Sequence, residues 1–280
     1  MLAYRHAFHA GNHGDVLKHV VLVALLRHLN LKDKGWRCID THAGAGHYDL
    51  ASAEAGKRGE FRHGIQRLWQ RDDLPAAVAD YVALVRQSNP DGQLRNYPGS
   101  PWLAAALRRP QDELRLFERH PADHPALVDS MAGQRGVLIR RADGFAALKS
   151  QLPPPTRRGL VLIDPSYEGH ADYGEVVAAL QDALRRFADG LTMVWYPIVT
   201  KPGAAAMVQR LQALAPHGWL HATLRVQPLD QQGFGLAGSG VLVLRPPHTL
   251  AAALQVALPW LCTALAQHDD ASWQLEHDLR

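Results

Sequence analysis

Four residues near the middle of the chain, Asp164, Pro165, Ser166 and Tyr167, close an apolar run that starts at Gly159. Aspartate and proline are common strand terminators, so the run by itself demands no chemistry. The same residue types also suit one difficult reaction. The exocyclic amine of a nucleobase is a poor nucleophile, because its lone pair is delocalised into the ring. Acceptors for its two hydrogens let that pair localise towards an incoming methyl group. A carboxylate in the first position supplies one acceptor, and the backbone carbonyl of the proline supplies the other. An aromatic ring in the fourth position gives the base a surface to stack on. On this reading Asp164, Pro165 and Tyr167 are catalytic.

Other strand ends carry acids too. "CIDTHAGAG" (38–46) places a carboxylate at a strand end, with Gly44 and Gly46 in the turn that follows. Glycines there let a backbone approach a ligand and take positive φ. A dinucleotide site needs G-x-G-x-x-G with an acid about twenty residues on. Here Asp49 fills the third glycine position, and Glu118, the acid ending the next strand, lies far downstream. That argues against a dehydrogenase. S-adenosylmethionine fits better, since it has no pyrophosphate to cradle and its ribose and adenine need hydrogen bonds. Glu118 suits two ribose hydroxyls. Asp143 suits an adenine amine, with Gly144 admitting the ring. Either acid also reads as a helix cap or turn residue.

The chain resembles the bacterial large-subunit ribosomal RNA adenine-N6 methyltransferase family (the RlmJ type). "DPSY" is similar to the D/N-P-P-Y motif of amino-methyltransferases. The likeness extends through "YRHAFHAGNHGDVLKH" (4–19), "DTHAGAGHYDL" (40–50), "YPGSP" (97–101), "ADGF" (142–145), "LIDPSYE" (162–168) and "WYP" (195–197). The resemblance implies a Rossmann-like, seven-stranded S-adenosylmethionine-dependent fold. It implies cofactor contacts from His19, His42, Ser100, Glu118, Asp143, Gly144 and Asp164, beside the glycine turn of Gly44 and Gly46. It implies Asp164 as catalytic acceptor and Tyr4 near the target adenine, with His6, Lys18 and Tyr167 as further substrate-side residues. One departure is Ser166, which stands where the motif usually has a second proline. The carbonyl that the chemistry needs belongs to Pro165, so an altered rate is expected rather than lost function.

Elements must carry these residues to one place. Apolar β-like runs at 36–40, 113–118, 136–143, 159–165, 191–199, 221–229 and 240–247 alternate with helical patterns. Continuously apolar runs suit parallel strands covered on both faces. The alternation predicts an α/β fold with a doubly wound sheet. Some seventy residues separate the first two strands, far more than a crossover helix needs. Residues 48–97 therefore read as an inserted helical subdomain, with helices at 59–70 and 74–87, within a single methyltransferase domain of 1–280. The insert carries Lys57, Arg58, Arg62, Arg67 and Arg71, and is expected to hold RNA while the target base is unstacked.

The 280 residues carry a formal charge of +3, too mild by itself to argue for nucleic acid. With two cysteines a disulfide framework is not expected, and a reducing cytoplasm is. No apolar stretch approaches the ~20 residues of a membrane span, and no metal is expected. His6, His9 and His13 have short spacings, but no cysteine pair or second ligand cluster accompanies them. The expected protein is a monomer acting on large-subunit ribosomal RNA. DNA adenine or a protein amide as substrate, or a non-catalytic RNA-binding assembly factor, are the alternatives.

Overall fold

The computed structural model describes residues 5–200, 203–229 and 235–279, so Tyr4 lies outside the described residues. Strands β1 (Arg37–Asp40), β4 (Glu113–Phe117), β5 (Val137–Arg140), β6 (Gly159–Ile163) and β7 (Leu191–Ile198) run parallel. Strands β8 (Trp219–Arg225), β9 (Gly238–Leu244) and β10 (Ser272–Asp278) complete one sheet in the order β10-β8-β9-β7-β6-β1-β4-β5. β9 enters antiparallel between β7 and β8. All seven predicted strands lie in this sheet. The eighth, β10, pairs antiparallel with β8 at the edge. Its sequence "SWQLEHD" alternates Trp273 and Leu275 with polar neighbours, the period-2 pattern of a strand with one face in the core.

Helices cover both faces of the sheet. On one side lies α1 (His13–Asn30), whose residues from His13 to Val23 are all buried. It packs against α4 (Ala76–Gln87), α5 (Ser100–Leu107), α10 (His248–Leu265) and the sheet. Asn12 caps it, accepting a hydrogen bond from the Asp15 amide. α10 is 18 residues long and apolar enough to cross a membrane by length and composition. Leu250, Leu254, Leu258, Leu261 and Leu265 nevertheless pack into the core, so α10 reads here as a core helix. The other side carries α7 (Gly144–Gln151), α8 (His170–Arg186) and α9 (Ala204–Leu214). α6 (Asp123–Ser130) follows β4.

Between β1 and α5 the chain makes β2 (His47–Asp49), α2 (Ala53–Arg58), a 3-10 turn (Glu60–His63), α3 (Ile65–Leu68), α4 and β3 (Asn96–Pro98). β2 and β3 pair antiparallel, joining His47 to Pro98 and Asp49 to Asn96. The helix expected over 59–70 is broken. Gly64 leaves helical geometry at φ −121°, ψ −114°, and a Cβ there would sit 2.0 Å from the Gly11 carbonyl oxygen. Close approach to the N-terminal loop therefore decides the backbone, against helical periodicity. Ile65, Leu68, Val78, Tyr81 and Val85 from this segment share one core with α1.

Candidate active site

The carboxyl ends of the parallel strands open into a cavity of ≈ 410 Å³, the place where open α/β sheets bind ligands. Asp164, Pro165 and Tyr167 line it from the loop after β6, and Glu118 and Asp143 from the ends of β4 and β5. Trp195 and Pro197 line it from β7, and Lys18 and His19 from the first turns of α1.

Asp164 is engaged on one oxygen only by a described partner. Its Oδ2 accepts from Lys18 Nζ at 2.6 Å, across 146 positions of sequence. Lys18 is 5% exposed at its side chain, and its Nζ also lies 2.8 Å from Asp15 Oδ1. Burial disfavours that ammonium, but Asp15 and Asp164 outweigh it and hold the Lys18 pKa above its usual value. The Trp195 ring lies under the same ammonium, 5.6 Å from centroid to Nζ. Asp15 in turn pairs with His6, Nε2 to Oδ2 at 2.8 Å. Tyr167 is held at φ 51°, a left-handed conformation that few non-glycine residues adopt. Its hydroxyl donates to the Trp195 carbonyl at 2.8 Å, and its ring meets Tyr173 at 4.7 Å between centroids. Ser166 Oγ reaches Glu168, so the serine in the second proline's place is itself tied into the loop.

The predicted cofactor residues meet the same cavity, apart from Gly46. His19 Nδ1 bonds the Tyr97 hydroxyl at 2.7 Å, and Tyr97 bonds Tyr81 at 3.0 Å. His19 Nε2 is buried with no partner among the described residues. His42 stands edge-on to Phe145, with centroids 4.9 Å apart, and burial pushes its pKa down to about 4. Ser100 opens α5 and donates its hydroxyl to Asp40 Oδ2 at 2.7 Å. Asp40 is fully buried below the cavity, and burial raises its pKa to about 7, with the Asp164 charge adding to the rise.

The glycines and the strand-end acids also serve the fold. The glycine turn was expected to be open for a ligand's approach. Gly44 has φ +61° and lines the cavity, but a Cβ there would meet the Tyr48 hydroxyl at 2.4 Å. Gly46, at φ +76°, is off the cavity lining and faces Ser130 Oγ. Gly144 lines the cavity, yet a Cβ on it would lie 2.0 Å from the Thr41 carbonyl oxygen. All three glycines are thus required by packing of the protein on itself. The acids also serve the fold: Glu118 accepts from the Gly44 and His120 amides, at 2.8 and 2.7 Å, and Asp143 caps α7 through Ala146.

Sequence reasoning gave no site role to Asp15 or Glu60, and to Asp40 only that of an acid ending a strand before the glycine turn. Asp15 stands three residues before Lys18, the spacing of one helix face, and that signal was available. Glu60 has no such signal. It comes from the segment between β2 and β3, accepts from Asn12 Nδ2 and pairs with His9 at 3.0 Å, 51 positions away. His6 and His9 are therefore each engaged by a carboxylate, and His13 is buried with its pKa pushed down to about 4 by burial.

A cationic sulfonium nucleoside fits this donor set. Carboxylates of Glu118, Asp143 and Asp164 line the cavity, the Phe145 and Trp195 side chains border it, and His19, whose buried Nε2 has no partner among the described residues, lies in its wall. Sheet order and site together define the class, a Rossmann-like methyltransferase that uses S-adenosylmethionine. Within that class, the family described as "Ribosomal RNA large subunit methyltransferase D, RlmJ" matches residues 33–278, and the chain belongs to it. It is 44% identical over 277 residues to "Ribosomal RNA large subunit methyltransferase J" of Escherichia coli (strain K12), covering 98% of this chain and 99% of that protein. The protein of the same name from Haemophilus influenzae is 43% identical, covering 99% of this chain and 98% of that one. A crystal structure of a Legionella pneumophila protein superimposes with a TM-score of 0.89 at 34% identity, covering 96% of this chain and 98% of that one.

Proposed function

We propose that this protein methylates the exocyclic N6 amine of an adenosine in large-subunit ribosomal RNA, with His19, His42, Ser100, Glu118, Asp143 and Asp164 holding the cofactor. S-adenosylmethionine supplies an electrophilic methyl group on a sulfonium. The observation that carries the reading is the state of Asp164. Lys18 occupies its Oδ2, so Oδ1 is the oxygen that accepts one amine hydrogen. The Pro165 carbonyl accepts the other, and the nitrogen lone pair turns out of the ring plane. The carbonyl that accepts is the proline's own, so a serine at 166 leaves the acceptor pair intact. Tyr167 and Trp195 border the base, and His6, Lys18 and Tyr4 complete the substrate side. The adenosine must leave its stack to enter, at a cost of a few kcal/mol.

Radiolabelled cofactor incubated separately with deproteinised large-subunit RNA, genomic DNA and cell protein tests this directly. Label is expected in the RNA alone, as one N6-methyladenosine located by nuclease mapping and mass spectrometry. Label in DNA or protein with none in RNA overturns the substrate; label in none overturns the activity. Gene deletion is expected to remove that single modification from ribosomal RNA.

A further inference from the structure

We propose that Asp15 is a positioning residue for methyl transfer: a buried carboxylate that holds the Lys18 ammonium to one oxygen of Asp164 and the His6 ring at the cavity wall. The proposal rests on the methyltransferase reading above. Asp15 is 2% exposed and divides its two oxygens. Oδ1 meets Lys18 Nζ at 2.8 Å; Oδ2 accepts from the Gly11 amide at 2.9 Å and pairs with His6 Nε2 at 2.8 Å. Lys18 and His6 both line the cavity, whereas Asp15 does not.

The ordinary reading of Asp15 is a helix cap. It stands three residues after Asn12, bonds back to Gly11 and receives the Asn12 side chain on its own amide. Capping needs one neutral acceptor, and asparagine would serve. It does not explain a carboxylate whose other oxygen is spent on Lys18. What the charge explains is geometry. An ammonium with Asp164 as its sole carboxylate partner is free to shift onto either of its oxygens. A second carboxylate on the far side draws the ammonium back. Oδ1 of Asp164 then stays available for the amine hydrogen.

Asp15→Asn keeps the shape and one acceptor but removes the charge. Single-turnover methylation of a large-subunit RNA fragment is expected to slow by ~10²-fold, the cost of misplacing a reacting group. Calorimetric affinity for S-adenosylmethionine should stay within about two-fold, since Asp15 is off the cavity. The groups facing Lys18 are Asp15 and His19 on its own helix, His6 from the N-terminal segment, Asp40 from β1 and Asp164 from β6. Without Asp15, burial of the ammonium is opposed chiefly by Asp164. Lys18 then loses its proton at lower pH, and the variant's rate declines in an alkaline range where the wild-type rate is level. Asp15→Glu should restore that plateau. Asn12→Ala removes the cap but leaves the carboxylate, so it should lower the melting temperature and keep the wild-type pH profile. A folded Asp15→Asn protein whose pH profile superimposes on the wild type overturns the proposal. Should that variant not fold, the wild type decides. The Lys18 Nζ nitrogen resonance, assigned by its loss in Lys18→Gln, is expected to remain that of an ammonium beyond the ~10.4 of free lysine. Titration below that value overturns the proposal, and it does so independently of any RNA assay. Wild-type protein inactive on RNA counts against the methyltransferase reading instead.

Discussion

At Asp164 the proposed function places two demands on one side chain: one oxygen takes the buried ammonium, and the other is left for the amine hydrogen. Asp164→Ala loses both and leaves Lys18 without its partner on that side, so turnover should drop by at least the ~10² typical of a positioned proton acceptor. Asp164→Asn keeps one carbonyl oxygen and should lose less. Equal losses in steady-state kinetics would show that hydrogen acceptance is not its task. The chemistry proposed for this residue is read from "DPSY", a local motif. Its pairing with Lys18 is not legible in sequence, because 146 positions separate the two and the docking of α1 on the sheet joins them. The glycines are ambiguous in sequence for a related reason. A turn glycine looks alike in sequence whether a ligand or the Tyr48 hydroxyl fills the space beside it. Gly44→Val therefore tests packing before it tests the cofactor.

At the scale of elements, the segment between β2 and β3 changes the expectation most. Its arginines were read as one RNA-holding set, yet they divide. Arg67 Nη1 donates to the Ala266 carbonyl at 2.6 Å, tying α3 to the end of α10. Arg71 pairs with Asp73 and lies over Trp260. Lys57 and Arg62 instead sit beside the rings of Phe8 and Phe61, near Arg58 and Glu60 of the cavity wall. Elsewhere Arg109 and Arg158 likewise serve the fold, donating to carbonyls at the end of α1 and in the loop after it. Lys57→Glu with Arg62→Glu should weaken RNA binding and flatten its salt dependence by about 0.7 log units per log unit of salt for each lost phosphate contact. Arg67→Glu should lower thermal stability and leave that slope alone. Salt titrations of both variants against wild type would contradict this if the Arg67 variant alone changed slope. Strand positions, by contrast, were legible wherever runs were continuously apolar. β10 was not, since at an edge only alternate residues face the core, and the start of α3 was not, since Gly64 packs on a distant loop.

Across the whole molecule, the same burial that builds the site sets a pH limit on the fold. Burial pushes His13 and His42 down to about 4 from a usual 6.5, and His19 well below 6.5. A base with a depressed folded pKa contributes stability above its unfolded value, and that stability is lost as pH falls towards the folded one. These three groups therefore destabilise the protein progressively below about pH 6.5. Asp40 acts in the opposite sense. Its pKa is raised to about 7 from 3.8, so its contribution is complete below 3.8 and is lost as pH climbs through about 7. Between pH 4 and 6.5 three histidines gain a proton on unfolding and one aspartate loses one. For these four groups the balance is a net uptake of about two protons, each worth roughly 1.4 kcal/mol per pH unit, and the lowered pKa values of His28, His47 and His221 act in the same direction. Urea denaturation at intervals from pH 7.5 to 5 should show stability declining towards acid. Asp40→Asn removes the opposing group, keeps a partner for the Ser100 hydroxyl, and should steepen the decline by about one proton. The variant should also be more stable than wild type at pH 8, where the wild type holds a buried carboxylate, and close to it at pH 5, where both groups are neutral. Wild-type stability level across this range, or an Asp40→Asn protein weaker at pH 8, would show that the cavity floor is wetter than its burial indicates.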